Sequence, residues 1–151
     1  MNRFQFGPQP VFAREGSAGS DKVPEPGARI LVVEDDFLVA SQIEMALSDA
    51  GFDITGVATS AEQAVALARS GNPALIVMDV RLAGERDGIQ AAVDIFQSLG
   101  MRCIFASAHY DQMTRDRAKP AMPLGWLEKP YSMASLVDTV RHALKELHGQ
   151  S

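Results

Sequence analysis

At 151 residues, 46% of them hydrophobic and 22% charged, the chain has the length and composition of one ordinary globular domain. Its net charge of −5 and the lack of any long basic run argue against nucleic acid as a partner. A single cysteine, Cys103, excludes disulfide stapling and fits a reducing compartment. No apolar stretch is long enough to span a bilayer, and the opening MNRFQFGPQP lacks the apolar core of a signal peptide. A soluble cytoplasmic protein, with no membrane partner, is the expectation.

Residues 1–28 are rich in Gly, Pro and Ser, and three acids balance three bases there. Such a segment buries too little apolar surface to offset its ordering entropy, which predicts a flexible N-terminal tail despite Phe4, Phe6 and Phe12. From Arg29 the pattern changes. Short apolar runs at Ile30–Val33, Ile54–Ala58, Ala74–Met78, Cys103–Ala106 and Leu124–Leu127 are largely continuous, as expected of strands buried on both faces. Between them lie helical stripes: Val39, Ile43, Ala46, Leu47 and Ala50, then Ile89, Ala92, Val93, Phe96 and Leu99, then Met133, Leu136, Val140, Ala143 and Leu147. Ser60-Ala61-Glu62-Gln63 has the pattern of a capping box opening the second helix. Gly51, Gly71, Gly100 and Gly149 each follow a helical run, where a left-handed residue is wanted. The helix over Asp111–Lys119 is short and polar, closed by Pro120 and Pro123. Five strands alternating with five helices predict a doubly wound α/β fold, a parallel sheet covered on both faces.

In such sheets chemistry gathers beyond the carboxyl ends of the strands. Here the first run ends in Glu34-Asp35-Asp36, the third in Asp79, the fourth in Ser107, and the fifth enters Glu128-Lys129-Pro130. Three carboxylates in a row repel one another unless something neutralises them. A hard divalent cation with oxygen ligands, Mg²⁺, does that. A carboxylate beside Mg²⁺, with a hydroxyl and an amine to hold further oxygens, is suited to accepting a phosphoryl group, where catalysis is mostly positioning and charge neutralisation. Asp36 reads as the cap of the first helix and Cys103 as core. His109, His142 and His148 are not spaced as metal ligands.

LVVEDD, VMDVRL, FASAH and LEKPY, in this order and spacing from Arg29 to about His148, closely resemble the receiver domain of two-component response regulators. The resemblance implies a CheY-like, flavodoxin-like sheet of strand order 2-1-3-4-5, with residues 29–149 as the receiver domain. It implies Asp79 as phosphoacceptor, and Glu34 and Asp35 as the acid pair. The backbone carbonyl of Arg81 would complete the protein's share of the Mg²⁺ shell. Ser107 would bond one phosphoryl oxygen and Lys129 pair with another, and Trp126 stands at the switch aromatic. The implied donor is a sensor histidine kinase or a histidine phosphotransfer protein, and the implied readout is contact with a downstream protein, around Asp111–Pro130 and the last helix, or service as a phosphate sink. No enzyme activity beyond its own phosphorylation and dephosphorylation is implied. Homodimerisation is left open, and no output domain is expected after the last helix.

The chain departs from the family pattern in places. VRLAGERDG after Asp79 lacks the usual proline and is one residue longer before Gly88; its charges and Gly84 suggest a mobile loop. Arg81 and His109 stand where the family tunes water access to the phosphoryl group. Two other readings compete: a receiver-like adaptor working without phosphorylation, and a small phosphatase or phosphotransferase with its nucleophile on the first strand. The intact set Glu34, Asp35, Asp79, Ser107 and Lys129 counts against the first. The second usually wants an Asp two residues after the nucleophile, and Asp79 is followed by Val80-Arg81.

Overall fold

In the computed structural model, which describes residues 27–149, apolar runs become strands where a buried slot exists on each side of them. The elements run β1 (Arg29–Val33), α1 (Phe37–Asp49), β2 (Asp53–Ala58), α2 (Ala61–Gly71), β3 (Leu75–Asp79), α3 (Gly88–Leu99), β4 (Cys103–Ser107), α4 (Gln112–Ala118), β5 (Gly125–Glu128) and α5 (Met133–Gly149). A 3₁₀ turn over Lys119–Ala121 follows α4. All strand pairs are parallel, in the order β2-β1-β3-β4-β5. This is the doubly wound, five-stranded α/β fold expected from the sequence. Residues 1–26, nearly all of the expected tail, lie outside the described residues. Gly27 and Ala28 already pair with the domain, through Gly27 N–H to Gly51 O and Asp53 N–H to Ala28 O.

The core lies in two layers because successive strand residues point to opposite faces. Leu31 and Val33, Ile76 and Met78, and Cys103 and Phe105 join Ala61, Ala64, Ala68, Ile89, Ala92 and Ile95 beneath α2 and α3. Ile30 and Val32, Leu75 and Val77, and Ile104 and Ala106 join Ile43, Leu47, Leu136, Val140 and Leu144 beneath α1 and α5. Both faces of β1, β3 and β4 are therefore dry, which is why these runs show no polar alternation.

Several local expectations are corrected. Only Gly51 (φ 98) and Gly100 (φ 75) take the left-handed position; Gly71 and Gly149 are the last residues inside α2 and α5, and Asn72 (φ 49) closes α2 instead. Asparagine tolerates that conformation. Ser60 caps α2 by accepting from Gln63 N–H at 3.1 Å, but Gln63 Oε1 reaches back to Thr59 N–H at 2.8 Å, so the box is not closed on Ser60. The closed capping box belongs to α3, where Asp87 accepts from Gln90 N–H at 2.9 Å and Asp87 N–H donates to Gln90 Oε1 at 2.8 Å. The buried stripe of α3 is also wider than expected: Ala91 and Ile95 are fully covered, while Val93, Phe96 and Leu99 are only partly so.

The sheet order reverses between β1 and β3: α1 leads outward to β2, α3 to β4. The loops after these two strands diverge and leave a crevice beyond their carboxyl ends.

Candidate functional site

Three acids meet in that crevice. One carboxylate oxygen each from Glu34, Asp35 and Asp79 lies within 4.8 Å of the others. Glu34 follows β1, its N–H bonded to Ala58 O at 2.9 Å. Asp79 ends β3, and Val80 N–H donates to Ala106 O at 3.0 Å just beyond it. The backbone ladder thus delivers both carboxylates to one place, with only 3% of Glu34 and 4% of Asp79 exposed. Asp35 is exposed, as the rim of the crevice would be. Asp36 turns away to cap α1, its Oδ1 accepting from Leu38 and Val39 N–H at 3.0 and 3.2 Å.

The fifth strand contributes the amine. Lys129 Nζ lies 3.1 Å from Asp79 Oδ1 and 3.7 Å from Glu34 Oε1. Lys129 N–H donates to Ser107 O at 2.9 Å, which fixes the stem from which the side chain reaches inward; the Lys129–Pro130 peptide is cis. Ser107, 4% exposed, ends β4 beside Asp79's register partner Ala106. Its hydroxyl donates to His109 O at 2.7 Å and accepts from His109 N–H at 2.9 Å. Arg81 N–H faces Asp79 Oδ1 at 3.3 Å. Glu34, Asp35, Asp79 and Lys129 therefore come together, Ser107 ends the neighbouring strand with its hydroxyl on the His109 backbone, Arg81 presents its N–H to Asp79, and Trp126 packs among aromatic rings on β5.

Burial, foremost, pushes Glu34 up to about 7. The Asp36 N–H on its carboxylate opposes this, the neighbouring Asp79 charge and a hydrogen bond shared with Asp79 add to it, and Lys129 again opposes it. Buried beside a second carboxylate, with one ammonium facing both, Glu34 keeps its proton to higher pH than a free glutamate. The donor set suits a hard cation: closely spaced carboxylate oxygens, two of them buried, match the all-oxygen preference of Mg²⁺. When bound, Mg²⁺ would be held by Glu34, Asp35 and Asp79 and would supply charge neutralisation in place of that proton.

One site residue carried no signal of its own in the sequence. A Cβ on Gly88 would lie 1.9 Å from the carbonyl oxygen of Asp79, and Gly88 N–H donates to Val80 O at 2.8 Å. Only a glycine lets α3 start this close to the strand end that carries the acid. The loop between them is tied down rather than loose. Ala83 bridges to Ser60, Arg86 pairs with Glu62 and Asp94, and Arg117 of α4 lies 2.8 Å from Asp87. Two of the charges that suggested mobility, Arg86 and Asp87, make these ion pairs.

A family model described as the response regulator receiver domain matches residues 30–141. The chain belongs to the response regulator receiver family. It is 31% identical over 116 residues to the transcriptional regulatory protein PdtaR of Mycobacterium tuberculosis, covering 77% of this chain and 56% of that protein. It is 30% identical over 129 residues to the phyllosphere-induced regulator PhyR of Methylorubrum extorquens, covering 84% and 47%. The receiver thus spans about half the length of these curated relatives. A crystal structure of the signal receiver domain of a modulated diguanylate cyclase from Desulfovibrio desulfuricans superposes with a TM-score of 0.71 at 31% identity, over 80% of this chain and 97% of that one. As a class, receiver domains bind Mg²⁺ through acidic residues and work with histidine kinases or phosphotransfer proteins, and they are not enzymes in general. No helix among the described residues is long and apolar enough to cross a membrane.

Proposed function

We propose that this receiver accepts a phosphoryl group on Asp79 from a phosphohistidine of a sensor histidine kinase or histidine phosphotransfer protein. It then signals by contact with a downstream protein or drains phosphate from the relay. The observation that carries this reading is the Lys129 ammonium 3.1 Å from Asp79 Oδ1, with Glu34 and Asp35 close enough to share a cation with Asp79. An aspartate meant only for structure would not be buried beside two other acids.

In the transfer, an Asp79 carboxylate oxygen attacks phosphorus, the phosphorus–nitrogen bond to the donor imidazole breaks, and the electron pair returns to that nitrogen. Lys129 sits where it can pair with the charge on a phosphoryl oxygen, and Ser107 offers its hydroxyl proton to another. The Arg81 carbonyl, two residues past the acceptor, would join the three carboxylates around Mg²⁺. Arg81 and His109 stand where the family tunes water access, and their side chains would limit it at the acyl phosphate. Little else is required of the protein, because phosphoryl transfer rests on positioning and charge neutralisation.

The test is incubation with phosphoramidate, which carries the same phosphorus–nitrogen bond, in the presence of Mg²⁺. The expected result is a mass increase of one phosphoryl group on the wild type and none on Asp79→Asn. An unmodified wild type under these conditions, or full labelling of the variant, overturns the reading.

A further inference from the structure

α1 is apolar on two sides. Ala40, Ile43 and Leu47 are its buried residues and face the sheet. Phe37, Leu38 and Met45 are 79%, 72% and 65% exposed, three of the six large hydrophobic side chains exposed among the described residues. Leu38 and Met45 are seven positions apart and Phe37 and Met45 eight, so all three share one outer stripe, with the uncharged Ser41 and Gln42 between them. A helix that is hydrophobic on both sides is normally covered on both, and a grouped apolar stripe, unlike a single exposed leucine, marks a contact surface.

The first twelve residues of the chain match that stripe. MNRFQFGPQPVF carries Phe4, Phe6, Val11 and Phe12, and Arg3 is its one charged side chain. α1 and the turn before it have the opposite charge: Asp35, Glu44 and Asp49 are exposed, and no Lys, Arg or His occurs between Arg29 and Arg69. The point of attachment fits as well. Gly27 N–H donates to Gly51 O at 2.6 Å, so residues 1–26 join the domain beside the carboxyl end of α1. Residues 13–26 can span up to roughly 45 Å, against about 20 Å for the length of α1. Tethering over so short a linker raises the local concentration of the segment to the millimolar range, so a weak apolar contact suffices.

We propose that residues 3–12 dock along the outer side of α1, with Phe4 and Phe6 on Phe37 and Leu38, Phe12 toward Met45 and Arg3 beside Asp35, and that they shield the mouth of the acid crevice. Phe37 and Leu38 follow Asp35 and Asp36 directly, so a segment seated on them stands where Mg²⁺ and a phosphoryl group enter. Arg3 also meets the one acid of the crevice that is exposed. Only the uncovered fraction of molecules is then open to a ligand, and apparent affinity falls by that fraction. The docking stands on α1 and the segment alone; the shielding rests on the proposed function.

The experiment uses the full chain with a nitroxide attached at Gln5→Cys, since Cys103 is buried and does not take the label. The amide resonances of Phe37, Leu38 and Met45 should lose most of their intensity while those of α3 keep theirs. Phe4→Ala, Phe6→Ala and Phe12→Ala made together should restore them, as should Phe37→Ala with Leu38→Ala for the remaining α1 amides. Loss spread evenly over the domain, or centred elsewhere, overturns the docking. Equal loss when the nitroxide sits on separate, isotopically unlabelled copies places a second molecule on the face and overturns it too. Shielding is read with Mg²⁺ and beryllofluoride, a phosphoryl mimic, by fluorine resonance spectroscopy. The triple phenylalanine variant should bind it about threefold more tightly than wild type, as for a cover in place about two-thirds of the time. Unchanged or weaker affinity overturns the shielding alone. A wild type that binds no beryllofluoride overturns the proposed function and the shielding with it, and the nitroxide result still decides the docking.

Discussion

The acid crevice between β1 and β3 and the aromatic column along β4 and β5 are built on opposite terms. In the crevice, Glu34 and Asp79 are nearly inaccessible, and their positions follow from strand ladders that cannot move without unpairing the centre of the sheet. In the column, Tyr110 is 42% exposed and the parts are held by ring contacts, each worth about 1 kcal/mol, and by two hydrogen bonds to one hydroxyl. The crevice stores electrostatic imbalance in a rigid frame; the column can rearrange for a small cost. Ser107, at the end of β4, stands between them: its neighbour Ala106 pairs with Asp79, and its hydroxyl bonds the backbone of His109, next to Tyr110.

The largest break in that comparison should come from Gly88→Ala. The new Cβ would collide with the Asp79 carbonyl, and either α3 or the end of β3 must shift. A stability loss of about 3 kcal/mol is expected in urea unfolding, together with loss of Mg²⁺ binding. A variant that unfolds like wild type would mean the crevice is not rigid.

Asp79→Asn goes the other way. It should abolish phosphoryl acceptance while leaving thermal stability unchanged or raised, since a near-isosteric neutral group relieves repulsion among the three acids. A clear drop in melting temperature would show that the Lys129–Asp79 pair holds the fold together.

The imbalance in the crevice also sets a pH dependence. Glu34 holds its proton more tightly folded than unfolded, where its ordinary value is 4.5. Without Mg²⁺ its contribution to stability is therefore fully present below about 4.5 and is lost as pH rises through about 7. Mg²⁺ competes with that proton, so the rise in melting temperature caused by millimolar Mg²⁺ should be larger at pH 8 than at pH 5.5. Glu34→Gln should flatten the metal-free dependence across this window. An equal Mg²⁺ shift at both values would remove Glu34 from the metal site.

The smallest effect is expected from Asp87→Ala, which lies between the two regions. It removes the cap of α3 and the ion pair with Arg117, for a loss of about 1 kcal/mol in chemical unfolding. Beryllofluoride affinity should stay within twofold of wild type. A larger change would mean that the loop after Asp79 carries part of the coupling.

Much of this architecture is legible in the chain itself. Continuous apolar runs such as Ile30–Val33 and Ala74–Met78, alternating with helical stripes, read as strands covered on both faces, and acids placed directly after them surface at one sheet edge. That locates Glu34, Asp35 and Asp79 before any coordinates exist. Helix ends were less legible: Gly71 and Asn72 are both acceptable left-handed closers, and one residue of helix length decides between them. The Ser60 and Asp87 caps show the same limit, since a side chain's reach to N–H groups one residue apart depends on the entry angle of the loop.

The sequence by itself determined the class of fold, the strand ends and the identity of the groups that meet there, because periodicity and strand–helix alternation are local and leave few topologies. Only the tertiary structure decided three things. It showed that Gly88 has no room for a side chain, that the charged loop after Asp79 pairs with Glu62, Asp94 and Arg117, and that Trp126 packs beside Tyr110, whose ring lies under Arg115. Most of these contacts join residues on different elements, whose meeting depends on how helices and loops settle onto the finished sheet. No local pattern encodes that settling, because each partner taken alone is an ordinary glycine, charge or ring.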